Sequence, residues 1–212
     1  MQNALSMYMG SEAAKTIGSR GWQSAPLSAL IGASGGPKWL ILSELDKVLA
    51  ETLLLGREEP ITLLGSSIGT WRHACLSLND PRAAISRLQQ AYLSQEYSSA
   101  RPSPIEVSEV AEQMLREALG PEGARQIAAH PTLHNAIVTA RAKGVARGEN
   151  GWKLGMGMAT ATLSNAVNRR MLGLLFDRVA FCHGELNSLP FADGFNTQLT
   201  PINELNLIPA LK

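Results

Sequence analysis

The rhythm of apolar and polar positions changes several times along the chain, and each change predicts an element. Ala4, Met7, Met9, Ala13, Ala14 and Ile17 recur at helical spacing ahead of Gly18, which predicts a short N-terminal helix. Residues 27–31, LSALI, are a compact apolar run bounded by Pro26 and Gly32 and read as a buried strand. From residue 39 to 55 the spacing lengthens: Leu40, Leu42, Leu45, Val48, Leu49 and Leu53 fall one to four apart, the pattern of a core-facing helix. A polar turn around residues 57–60 leads into ITLL, residues 61–64, a second buried strand.

Strand, helix and strand in this order form a βαβ unit. A right-handed crossover lays its strands parallel, with both C-terminal ends on one sheet edge, the edge where open α/β sheets hold their ligands. Further on, Asn79 or Asp80 caps a helix that opens at Pro81 and runs through Ile85, Leu88, Tyr92 and Leu93. SSARPSP, residues 98–104, reads as a surface linker, and IEVSEVAEQMLREAL as a helix closed by Gly120. LHNAIVTARAKG, residues 133–144, reads as a strand with a polar end. The second half of residues 151–175 has helical spacing, and residues 178–182 read as another strand. The pattern predicts one α/β domain over residues 1–212, with a mostly parallel central sheet and helices on both faces, a three-layer α/β/α architecture.

Composition narrows the partners rather than the fold. With 19 Lys and Arg against 18 Asp and Glu the formal charge is +1, so no basic field invites nucleic acid. Cys75 and Cys182, the only cysteines, stand far apart without metal-ligand spacing, which suits a reducing, cytoplasmic setting and predicts no metal site. The start of the chain lacks a basic segment followed by an apolar run, and no apolar stretch approaches the roughly 20 residues of a membrane span. MLGLLF and LLL are short enough to be core, and if exposed they would offer a peripheral membrane contact.

Two loops carry chemistry. GASGGPK, residues 32–38, lies between the first strand and the long helix, where adjacent glycines let successive N–H groups converge on an anion at a helix N-terminus. It is not a Walker loop, because Pro37 precedes Lys38 and Trp39 follows it. Nor do its glycines fall at G-x-G-x-x-G, so no nucleotide or other cofactor is expected. The second loop is GSSIG, directly after ITLL. Ser67 alone has glycine two residues to either side, Gly65 and Gly69, giving the G-x-S-x-G of a strained strand-to-helix turn that exposes a nucleophile. On one edge, amides from Gly35 and Gly36 would meet the oxyanion that Ser67 creates on attacking a carbonyl.

SGGPK followed some thirty residues later by GSSIG resembles the bacterial patatin-like phospholipases, firmly over residues 27–78 and in topology beyond. The resemblance implies a glycine-rich oxyanion loop matched by Ser34, Gly35, Gly36 and Lys38, with Ser34 where glycine is usual. It makes Ser67 the nucleophile, with Thr70 where a further small residue often stands. It implies a Ser-Asp dyad without histidine, acting on lipid or small esters. The aspartate belongs to an Asp-Gly-Gly or Asp-Gly-Ala motif. Asp193-Gly194 is followed by Phe195, and NELNLIPAL resembles the helix ahead of that motif, so the alignment expects the base beyond Lys212 in a chain incomplete at its C-terminus. A sheet short of a strand would expose an edge and favour self-association.

The histidines set the alternatives. His73 lies about 240° and 9 Å past Ser67 on the predicted helix, away from its oxygen. His130 and His134 flank Pro131 and read as a surface turn, whereas His183 ends a strand where a Ser-His-Asp histidine would sit. Three readings follow: a serine acyl hydrolase with a Ser-Asp dyad, a catalytically silent lipid- or acyl-binding domain on the same scaffold, and an α/β-hydrolase using His183.

Overall fold

A computed structural model describes residues 8–21, 27–143, 172–184, 189, 191 and 193–212. Five strands form one sheet in the order β1 (Ala29–Gly32), β2 (Ile61–Gly65), β3 (Leu133–Ala142), β4 (Phe176–Cys182) and β5 (Thr197–Pro201). The pairs β1–β2, β2–β3 and β4–β5 are parallel, and β3–β4 is antiparallel. The predicted mostly parallel sheet is therefore present. Its central strands are buried on both faces: Ile61, Leu63, Leu133 and Ile137 meet one cluster, and Leu64, Ala136, Ala180 and Cys182 form a second. Strands covered on both sides read as unbroken apolar runs, as ITLL does, and this is the three-layer α/β arrangement.

Helices α3 (Ile68–Leu76), α4 (Pro81–Leu93), α5 (Pro104–Leu119) and α6 (Gly123–Ala128) build the larger core with the sheet, through Cys75, Ile85, Leu88 and Leu115. Their ends follow the sequence. The Asp80 carboxylate accepts from the Ala83 N–H at 2.9 Å, settling the choice of cap in favour of Asp80 over Asn79. Ser103 accepts from the Glu106 N–H at 3.1 Å, and Gly120 ends α5 at φ 69°. No helix among the described residues is long and apolar enough to cross a membrane.

Three expectations are corrected, and a fourth lies largely outside the described residues. The N-terminal helix α1 spans Ser11–Arg20 and passes through Gly18, with no buried residue; residues 1–7 of the expected helix lie outside the described residues. The first strand is an edge rather than a buried one, with Ile31 65% exposed. The long helix is three segments, a 3₁₀ turn over Gly36–Leu42, α2 over Ser43–Leu49 and a π turn over Ala50–Leu54, and Val48 does not face the core. Of residues 151–175, only 172–175 are described, as a single turn, α7 (Leu172–Leu175), with Leu174 exposed. Polar TQLTP gave no apolar signal for β5, which forms by pairing Thr197–Pro201 with β4, followed by the C-terminal helix α8 (Leu207–Leu211).

Candidate active site

The two glycine loops emerge side by side because Gly32 at the end of β1 pairs with Gly65 at the end of β2. Three backbone approaches then lock them together. A methyl group on Gly69 would stand 2.3 Å from the Gly32 carbonyl oxygen, and one on Gly32 would meet the His73 ring at 2.7 Å and the Gly69 carbonyl oxygen at 2.8 Å. One on Gly65 would lie 3.1 Å from Gly69 and Thr70 backbone atoms, across the turn. The spacing G-x-S-x-G thus has two steric causes. Gly65 clears the turn itself, whereas Gly69 lets α3 press against the neighbouring strand end.

Ser67 is the N-cap of α3, with φ 52° and ψ −136°. Among the described residues no other non-glycine residue has positive φ. Such a conformation is costly for a residue with a Cβ and persists only where the surroundings impose it. Here the Thr70 N–H and Oγ1 both donate to the Ser67 carbonyl, at 2.9 and 2.5 Å, and the Gly69 N–H donates to Ser66 O at 3.1 Å. The strained residue is exposed while Ile68, Gly69 and Thr70 behind it are buried, so the hydroxyl is presented at the sheet edge.

The first loop joins this turn through a contact the spacing did not reveal. Ser34 Oγ lies 2.8 Å from Ser66 Oγ and 3.3 Å from Ser66 O. Ser34 is thereby a tether between loops, and Ser66 is more than a spacer. Gly36 has φ 52°, and no carbonyl among the described residues accepts from the Gly35 or Gly36 N–H. Those donors are available for an anion, beside the first turn of α3. The Lys38 side chain is exposed at the start of the 3₁₀ turn, and its own N–H returns to Gly35 O at 3.3 Å.

Beyond Gly65 the strand β3 runs on, since its partner there is Ile137 and it continues to Ala142, paired with β4. This projecting ribbon divides two clefts. One, of about 450 Å³, touches Ser67 and is walled by Trp71, Val138, Phe181 and Leu211, with the Trp71 indole N–H donating to Leu211 O at 2.8 Å. The other, of about 330 Å³, touches Ser66 and is walled by Thr139, Phe176, Arg178 and Phe195. Arg178 is stacked over the Phe191 ring at 4.1 Å and holds both Asp193 oxygens. That ion pair keeps the Asp193 carboxyl below the usual carboxylate range, and it leaves Asp193 facing a guanidinium rather than a serine.

The histidine readings change. His134 belongs to β3 and is buried, not on a turn; it stacks on His183 with ring centroids 4.1 Å apart. His130 does occupy the turn, where Nδ1 accepts from the Thr132 and Leu133 N–H groups. His183 donates its backbone N–H to Asn135 O, and Asn135 pairs with Leu63 of β2. Because β4 runs antiparallel to β3, His183 faces the sheet edge opposite Ser67, four residues and about 13 Å along the strand direction. The Ser-His-Asp reading through His183 is overturned by that reversal. His73 packs on Gly32, buried, with Nδ1 lacking a hydrogen-bond partner among the described residues. Burial, and secondarily the charge of Arg72, pushes its imidazole down to about 4.

No carboxylate or imidazole among the described residues hydrogen-bonds the Ser67 hydroxyl. Among the described residues no cluster of His, Cys, Asp and Glu could hold a metal ion. No family model, curated protein or solved structure matches the chain.

Proposed function

We propose that the chain is a serine acyl hydrolase of the patatin-like type, acting on lipid or small esters. The observation that carries this reading is Ser67 at φ 52° between Gly65 and Gly69, the strained strand-to-helix turn that presents a nucleophile. Ser67 Oγ attacks the carbonyl carbon, forming the C–O bond as the carbonyl π electrons pass to its oxygen. The Gly35 and Gly36 N–H groups and the Ile68 N–H are the donors for that oxyanion. A base takes the Ser67 hydroxyl proton and returns it to the leaving oxygen as the tetrahedral intermediate collapses and the ester C–O bond breaks; water, deprotonated by the same base, then adds to the acyl carbon, and the bond to Ser67 Oγ breaks as that oxygen recovers the proton. The cleft along Trp71 and Phe181 opens beside Ser67 and is where the ester would sit. Asp193 is engaged by Arg178 rather than by Ser67, so it is not assigned as the base. The proposed setting is cytoplasmic, where the free, buried Cys75 and Cys182 stay reduced, with lipid reached by peripheral contact.

A fluorophosphonate probe, read beside hydrolysis of a short-chain nitrophenyl ester, tests this. Labelling is expected at Ser67, to be lost in Ser67→Ala and largely retained in Ser66→Ala and Asp193→Asn. Equal labelling of Ser66→Ala and Ser67→Ala variants would remove the elbow assignment. Brisk hydrolysis abolished by Asp193→Asn would make Asp193 the base. A second reading, a silent acyl-binding domain, is favoured because no carboxylate or imidazole among the described residues hydrogen-bonds the Ser67 hydroxyl; it requires that the probe label neither serine while an acyl chain still binds.

A further inference from the structure

Three histidines meet at the start of β3, on the edge opposite Ser67, and one of them holds the backbone there. His130 Nδ1 accepts from the Thr132 N–H at 3.2 Å and from the Leu133 N–H at 2.9 Å. A ring nitrogen has one in-plane lone pair, so both amides share it, and it is available only while the proton of the neutral ring sits on Nε2. The turn so formed sets the entry to the strand. Thr132 O accepts from the Ile61 N–H at 2.8 Å, and Leu133 pairs with Ile61, the first residue of β2. Next along the chain, His134 Nε2 lies 3.3 Å from Pro131 O, and its ring stacks on that of His183 with the planes 2° from parallel.

A proton added to Nδ1 reverses the first contact. The acceptor becomes a donor facing two donors, so the Thr132 and Leu133 N–H groups lose their partner and the ring must leave. No opposite charge offsets the new one. His130 walls two clefts, and the charged side chains on their other walls are Arg125 of α6, already paired with Glu122, and Arg57, which donates to the Leu27 and Glu59 carbonyls. From the sheet, His134 of β3 and His183 just past β4 are the titratable groups that act on it, and neither cleft has a carboxylate on its wall among the described residues. Burial first, then the charges of His183 and His134, hold the His130 imidazole below the usual histidine range. Above about pH 6.5 the ring is neutral whether the turn is open or closed, and the closed turn keeps its full advantage. As pH falls the open turn takes up the proton first, and that advantage is lost. We propose that His130 is an acid-released latch on the entry of β3, closed at neutral pH by its Nδ1 lone pair and opened by a proton there.

The inference does not depend on the acyl-hydrolase reading. Native-state amide exchange of the 212-residue chain, read by NMR as protection factors between pH 7 and pH 5, tests it. Protection of the Thr132 and Leu133 N–H groups should fall about tenfold for each pH unit below about 6.5, until the folded imidazole titrates as well. The Glu106 N–H, held by the Ser103 hydroxyl, should keep its protection over the same range. His130→Asn places an amide oxygen where Nδ1 stands, an acceptor that does not titrate, and should keep both amides protected throughout. His130→Ala removes the acceptor and should leave both as weakly protected at pH 7 as they are at pH 5 in the unaltered chain. A long-range proton–nitrogen spectrum at pH 7 should show His130 Nδ1 without a proton. Protection that does not change with pH in the unaltered chain, a His130→Asn variant that loses it in acid just as that chain does, or a His130→Ala variant that keeps it at pH 7 overturns the latch. So does a proton on Nδ1 at pH 7.

Discussion

Ser67 and His73 are six residues apart on one helix and illustrate opposite uses of a polar side chain. Ser67 is strained in its backbone and open in its side chain. His73 is relaxed in its backbone and buried in its side chain, against Gly32. The second state depends on pH. In the unfolded chain the imidazole titrates near 6.5, and in the folded chain near 4, so between those values only the unfolded state takes up the proton. Its share of stability is full above about pH 6.5, falls as pH drops, and levels off below about 4. Chemical denaturation at pH 7 and pH 5 should show a loss of about 2 kcal/mol from this residue. His73→Gln should lose that share of the pH dependence, and an identical slope in the variant would mean the imidazole is solvated. The sequence disclosed the two glycines around Ser67 because their spacing is local. It was silent on Gly32 and on the Ser34–Ser66 contact, which arise only when β1 and β2 align.

At the scale of elements, periodicity located both strands of the βαβ unit and the core contacts of Leu40 and Leu53 between them, but not the exposure of Val48. Leucines at helical spacing suggest a core stripe, but the same segment also buries Asp46, both of whose oxygens accept from Arg72 in one ion pair. Breaking it should leave the guanidinium buried without its partner. Asp46→Asn is therefore expected to cost about 3 kcal/mol in denaturant-induced unfolding; a loss under 1 kcal/mol would show that Arg72 reaches water. The same element carries a 3₁₀ turn at one end and a π turn at the other, a sign that the backbone adjusts to hold this pairing. β5 escaped notice for a different reason. Its polar strand is stabilised by neighbours distant in sequence, through Arg178 pairing with Thr197 and the residues that follow.

Across the whole molecule, the antiparallel step between β3 and β4 decides which residues share an edge. It sends Asn135 and His183 to one side and carries Ala140, Arg178 and Thr197 to the side of the glycine loops. Sequence order offered no means of seeing this, since a strand's direction is not written in its composition. The contact between Gly32 and Gly69 makes both loops parts of one rigid body, and it separates what the fold demands from what the chemistry demands. In a saturation library screened only for soluble expression, positions 32 and 69 should return glycine alone, because no side chain fits where 2.3 Å is left before the opposing carbonyl. Position 67 meets no such wall. It should return glycine and asparagine first, the residues that tolerate its positive φ, and serine with no advantage. Serine enriched by that screen would mean the hydroxyl helps the chain fold, whereas its enrichment only under selection for turnover would mark position 67 as kept for what it does.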